Sequence, residues 1–344
     1  MKRLYNKIDS KELKEKMLKS PEKRFTISFY KYQQLPNPSF FRDYLFIHWS
    51  EFNVFGRTYV SGEGINAQIS VPMNRFEEFK EDLYSIRFLD GIRLNLAIED
   101  DGKSFYKLKI KLREKIVADG LNDESFDVTN TGKHLTAKEF NSLTDDEKTI
   151  LIDMRNHYEH EVGHFEGAIL PDVDTFREEL QEVRKMLDGK EDTNIVMYCT
   201  GGIRCEKASA WLKHEGFPKV HQLEGGIIEY ARQAEKQGLD NKFIGKNFVF
   251  DERLGERISD EVIANCHQCG EPCDDHTNCV NEGCHLLFIQ CESCKEKFEN
   301  TCSEDCKSII QLTEEQQREL RSGHPTPRNI FKKGRSHKLP YMNK

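Results

Sequence analysis

Ile195-Val-Met-Tyr198-Cys199-Thr-Gly-Gly-Ile-Arg204-Cys205-Glu-Lys-Ala208 is the stretch from which the rest of this chain can be read. Its first four residues are apolar and predict a short buried strand. Glu206 to His214 carries Ala208, Trp211 and Leu212 at helical spacing. Cys199 therefore stands where a strand hands over to a helix. The unpaired amides of Thr200 to Arg204 and the positive end of the helix dipole converge there and favour negative charge. With Arg204 five residues on, the surroundings lower a cysteine pKa and make a thiolate nucleophile. The competing reading is a buried structural cysteine. Gly201 and Gly202 weaken it, because they let backbone approach a ligand closely.

Working outward, Ile152-Asp153-Met-Arg155 and Gly163-His164-Phe-Glu-Gly167-Ala168 lie upstream, and Leu223-Glu-Gly225-Gly226-Ile lies downstream. With the Cys199 to Arg204 loop, these four motifs in order resemble the rhodanese superfamily. In that superfamily a Cys-x4-Arg loop belongs to sulfur-handling members, and related phosphatases carry one more residue. The surrounding pattern agrees. Strands at Thr149 to Asp153, Asn194 to Tyr198 and Lys219 to Leu223 alternate with helices at Phe176 to Leu187 and Glu206 to His214. This predicts an α/β domain with a doubly wound parallel sheet over residues 133–242, its site at the carboxyl ends of the strands. His160-Glu161-Val-Gly163-His164 matches the zinc-protease pattern, but Gly163 weakens the continuous helix that motif needs, so His157 and His160 are expected on a solvated loop.

With 344 residues the chain suits two or three domains. A net charge of -8 excludes a general polyanion binder, so any nucleic-acid surface must be local. No apolar run approaches a membrane span, and the amino terminus has no signal-peptide core, so a cytoplasmic protein without a membrane partner is expected. Of the 11 cysteines none precedes Cys199, and nine fall between Cys266 and Cys306. In a reducing compartment this clustering suggests metal ligation. The pairs are Cys266-x2-Cys269, Cys279-x4-Cys284, Cys291-x2-Cys294 and Cys302-x3-Cys306. They predict two structural zinc sites in a Cys-rich domain over 243–310, the first and third pairs on one Zn2+ and the second and fourth on the other. Cys273, His267, His276 and His285 are possible substitutes.

Residues 1–20 read as a polar helical appendage. Over 21–120 the order β-α-β-β-α-β predicts a ferredoxin-like, acylphosphatase-like α+β domain, and no catalytic constellation is visible in it. It does carry Lys107, Lys109, Lys111, Arg113 and Lys115 alternating with Leu108, Ile110 and Leu112. All five cations should share one strand face with Tyr106 nearby, a surface suited to tracking phosphates. A solvated edge strand protected by lysines would look the same. Residues 311–344 are expected to be a basic, disordered tail carrying Arg318, Arg321, Arg328, Lys332, Lys333, Arg335, Lys338 and Lys344. Two basic surfaces on an acidic chain point toward RNA.

Along nearly its whole length the chain resembles the bacterial rhodanese-like tRNA uridine hydroxylases, with Gly64-Ile-Asn-Ala-Gln-Ile-Ser-Val71, Phe243 to Arg253 and Cys266-His-Gln-Cys269 adding to the loop. The resemblance implies oxygen-dependent conversion of the wobble uridine in a tRNA anticodon loop to 5-hydroxyuridine. It also implies molecular oxygen as co-substrate and an essential loop cysteine. The residues alone would lead to sulfur transfer: a thiolate among amides can hold a persulfide, and Cys205 could resolve it. A rhodanese-type sulfurtransferase is therefore the alternative. No flavin or nicotinamide fingerprint, haem motif or iron triad is seen, so an unknown electron or sulfur donor is required.

Overall fold

Helix α1 (Ser10–Lys19) leads into β1 (Arg24–Tyr32), whose period-two pattern puts different chemistry on its two faces. Ile27 and Phe29 are buried against α2 (Pro38–Glu51), where Phe29 meets Trp49 edge to face at 6.3 Å. The computed structural model describes residues 4, 8–122, 125–323, 333–336 and 338–341. Strands β2 (Phe55–Ser61) and β3 (Gly64–Pro72), helix α3 (Phe76–Ser85) and strand β4 (Asn95–Leu96) complete a β-α-β-β-α-β unit. A fifth strand, β5 (Leu108–Leu112), lies parallel to β2, and the sheet order is β4-β1-β3-β2-β5. Helices cover one face only, where Val60, Ile65, Ala67, Ile69 and Phe79 are fully buried. The last two strands are short, beginning only at Asn95 and at Leu108.

The central domain comprises β6 (Lys133–Leu135), α4 (Ala137–Thr144), β7 (Ile150–Asp153), the single turn α5 (His157–His160), β8 (Gly163–Phe165), α6 (Phe176–Met186), β9 (Ile195–Tyr198), α7 (Ile203–His214), β10 (Val220–Leu223) and α8 (Gly226–Gln237). Strands β6-β10-β9-β7 form a sheet in which every neighbour is parallel. The apolar run Ile195 to Tyr198 is fully buried because helices cover both faces of its sheet. The zinc-protease pattern is broken as the glycine suggested: His160 ends α5 and His164 lies in β8. His157 and His160 are nevertheless buried, each 8% exposed, which corrects the expected solvated loop. The packing against the 171–174 segment is the reason, since His157 N–H donates to Val173 O and His160 Nε2 lies 3.1 Å from Pro171 O.

Beyond it, β11 (Phe243–Asn247) pairs antiparallel with β8 and with β12 (Glu256–Arg257), tying the cysteine-rich region to the central domain. That region holds the hairpin β13 (His276–Asn278) and β14 (Leu287–Ile289), then α9 (Glu292–Phe298), α10 (Glu304–Ile310) and α11 (Glu314–Arg321). The expected tail is thus helical at its start, where Thr313 and Gln316 form a reciprocal cap. Further on, Leu339 is fully buried, Lys338 pairs with Asp305 at 2.9 Å, and Arg335 pairs with Asp172 and Asp174. Arg328, Lys332 and Lys344 lie outside the described residues. Among the described residues no helix is long and apolar enough to cross a membrane.

Candidate active site at Cys199

Cys199 follows β9 directly, and α7 starts at Ile203, a few residues earlier than its apolar spacing suggested. Arg204 and Cys205 therefore belong to the first helical turn. Gly202 caps it at φ +99°, a conformation that favours glycine, and its N–H donates to Cys199 Sγ at 3.1 Å. On the other side, Ile227 N–H donates to Cys199 O at 3.0 Å. A Cβ on Gly226 would come within 2.5 Å of that oxygen, which explains the second glycine of the Gly225-Gly226 turn. The loop is held from both ends.

Burial of Cys199 pushes its pKa up, but the Cys205 thiol, the Arg204 charge and the amides of Arg204 and Cys205 bring it down to about 5. Cys205 goes the other way, pushed well up by burial and by the thiolate beside it. Charge thus settles on Cys199 and the proton on Cys205. Arg204 lowers the thiol pKa as expected, and it is itself held in place. Its Nη1 and Nη2 meet the two carboxylate oxygens of fully buried Glu159 at 2.7 and 2.8 Å. That bidentate pair fixes the guanidinium, so Arg204 acts on the sulfur through its charge while its terminal nitrogens are engaged. Behind the loop, Glu179 on α6 is fully buried, and neither carboxyl oxygen has a hydrogen-bond partner. Burial drives its pKa well up against the pull of Arg204, which favours the neutral acid. In the sequence both glutamates look like ordinary surface acids of short helices, and no local pattern marks them.

Above Cys199 lies a cavity of about 350 Å³ whose opposite wall is the uncovered face of the N-terminal sheet. Ser28 and Tyr30 of β1, Arg57 of β2, Asn66 and Gln68 of β3, and Asn95 of β4 line it. The N-terminal domain, in which no constellation was visible, supplies half of the site. The signal that could have found it is the polar alternation Thr26-Ser28-Tyr30 and Asn66-Gln68, opposite the apolar Ile27-Phe29 and Ala67-Ile69. Tyr30 also donates to Glu206 Oε1 on α7 at 3.1 Å. Lys207, fully buried on α7, reaches Glu63 at 2.8 Å and Asp119 at 3.4 Å. These contacts lock the two domains across the cavity.

The five cations expected on one face do not all stay there. Lys109 and Arg113 are exposed and Lys111 is half-buried, but Lys115 turns back to Asp119 at 2.6 Å and to Leu121 O. The strand ends at Leu112, so the alternation no longer governs Lys115. Lys107 donates to Ser10 Oγ at 2.5 Å, and Leu112 is 42% exposed where a core position was expected. Arg57, the β2 neighbour of Lys109, joins the cluster.

The eight paired cysteines converge in two groups, Cys266, Cys269, Cys291 and Cys294 in one and Cys279, Cys284, Cys302 and Cys306 in the other. Within each group all sulfurs lie within 4.8 Å of one another, and each group could hold a metal ion. Four thiolates at ~2.3 Å from a tetrahedral zinc stand about 3.8 Å apart. The Cys269–Cys291, Cys284–Cys302 and Cys302–Cys306 separations are 3.6, 3.7 and 3.7 Å. Cys273 belongs to neither group, and His267 lies between Glu161, at 2.8 Å, and the Ile289 amide.

Fold and site together define a protein built on a rhodanese-type cysteine loop. Residues 136–233 match the family described as rhodanese-like domain, residues 24–116 the UPF0176 acylphosphatase like domain, and residues 244–307 the family described as Rhodanase C-terminal. The tRNA uridine(34) hydroxylase of Pectobacterium atrosepticum is 58% identical over 96% of this chain and 94% of its own length. That of Photorhabdus laumondii is 57% identical over 98% and 96%. The chain belongs to the tRNA uridine(34) hydroxylase family.

Proposed function

We propose that this chain hydroxylates the wobble uridine of tRNA to 5-hydroxyuridine in the cytoplasm, with molecular oxygen as co-substrate. The observation that carries this reading is a low-pKa thiolate at the floor of a cavity walled on its far side by polar side chains. About 350 Å³ lies in the range that takes a small ligand, and an anticodon loop presents an unpaired base at little unstacking cost. The Cys199 thiolate adds to C6 of the uracil, and the displaced π pair makes C5 an enolate nucleophile. C5 then takes one oxygen from dioxygen reduced to the peroxide level, and the other oxygen leaves as water. Loss of the C5 proton and of the S–C6 bond returns the thiolate. The net reaction consumes two electrons and two protons, which an external donor supplies. Lys109, Lys111 and Arg113, with Lys107 just before the strand, draw the tRNA backbone in. Zinc in the two thiol groups would hold the carboxyl-terminal region in shape and take no part in the chemistry.

The test is incubation with tRNA lacking wobble modification, in air and without oxygen, followed by mass spectrometry of the nucleosides. One oxygen added to uridine, only in air and lost in Cys199→Ala, is the expected result. Unmodified uridine in both conditions, or a thiouridine, overturns it, and the thiouridine assigns sulfur transfer instead.

A further inference from the structure

A second cavity of about 390 Å³ opens beside the one over Cys199, and the two share Arg57, Phe250 and Asp251 in their walls. Its charge is one-sided. Arg57, Lys109 and Lys333 line it and form no ion pair among the described residues. The two acids in its wall are already engaged, Glu252 by Lys14 at 2.5 Å and Asp251 by Arg253 Nε at 2.9 Å. Burial and the charges of Lys111, Lys107 and Arg57 lower the pKa of Lys109, and burial lowers that of Lys333 against the pull of Glu159, with Arg57 adding to the lowering. A polyanion would relieve that repulsion. Lys333 comes from the segment expected to be a disordered tail, so its arrival at this cavity is a product of the fold.

The shared wall is aromatic as well as cationic. Phe250 is 43% exposed, and Phe248 holds it edge to face at 5.1 Å. Tyr106 lines the second cavity too. An exposed ring held in place beside cations that form no ion pair among the described residues is the combination that binds single-stranded nucleic acid, the ring taking a base and the cations the backbone. A small free anion would have no use for the ring.

Resting on the function proposed above, we infer that the second cavity holds the nucleotide adjacent to the reacting uridine. Phe250 stacks on that nucleotide's base, and Arg57, with Lys109 and Lys333, meets the phosphate between the two. The enzyme thereby grips a dinucleotide step, one base over Cys199 and its neighbour next door.

Competition binding to the full chain tests this, with uridine 5′-monophosphate, a uridine-containing dinucleotide and a uridine-containing RNA pentamer displacing a labelled pentamer. In the wild-type protein the flanking nucleotide should strengthen binding by roughly tenfold or more. Phe250→Ala should remove most of that gain at low and high salt alike, and Phe250→Tyr should keep it. Arg57→Gln should reduce the gain at low salt and flatten the salt dependence by about one unit of slope. Both side chains are exposed, so folding is not at stake. No pentamer binding by the wild type, an undiminished gain in Phe250→Ala and Arg57→Gln, or equal losses in Phe250→Tyr and Phe250→Ala would overturn the inference. Should the binding pattern hold while no hydroxylated uridine forms in air, the cavity assignment stands and the proposed reaction fails. Hydroxylation in air with an undiminished gain in every variant means the opposite: the reaction stands and the cavity assignment fails.

Discussion

Cys199 is ionised by its neighbours and in spite of its burial. Since its pKa lies near 5 against an ordinary 9.0, alkylation of the Cys199 peptide by iodoacetamide should rise with pH through a midpoint near 5. In Arg204→Gln the midpoint should move up. The sign for stability follows from the same shift: the folded pKa is depressed, so the contribution is complete above the unfolded value and drains away as pH falls toward 5. Glu159 matters for a different reason. Replacing it with Gln takes away the carboxylate paired with the buried Arg204 charge, and the protein should lose about 3–5 kcal/mol of stability in urea denaturation. Unchanged stability would mean that the pair is not carrying the guanidinium's charge.

At the level of elements, the decisive joint is the one between β9 and α7. Gly202 sits there in the left-handed region, and a Cβ would stand 2.7 Å from Tyr30 Oη. Gly202→Ala should therefore cost about 1–3 kcal/mol in thermal or chemical denaturation. It should also weaken hydroxylation, because relief of the clash moves either the loop or Tyr30. The motif around Cys199 was readable because strand, glycine turn and helix are local: each depends on residues a few positions apart. The basic strand was readable only as far as the strand itself runs. Lys115 left the shared face because Asp119 and the Leu121 carbonyl compete better than solvent for its ammonium once the β ladder stops.

For the whole molecule, the carboxyl-terminal region does more than cap the fold, since Phe248 to Arg253 forms part of the cavity walls. Elemental analysis should find two zinc ions per chain. Stripping them with a chelator should loosen residues 244–307 to protease and weaken RNA binding, with the alkylation midpoint of Cys199 unmoved. A shifted midpoint would show that the metal region also shapes the loop.

From the sequence alone came the cysteine loop, the order of the strands and helices that carry it, and the paired spacing of the eight thiols. All of these are periodicities or short-range spacings, and elementary backbone geometry converts them into structure. Tertiary structure alone decided that Glu159 takes the arms of Arg204, that Glu179 is buried without a partner, and that Lys333 reaches the second cavity. It also decided that the polar face of the N-terminal sheet closes over Cys199. Those groups are tens to more than a hundred residues apart in the chain. No repeat or spacing records such a meeting, because it is set by how separate domains bury their surfaces against one another.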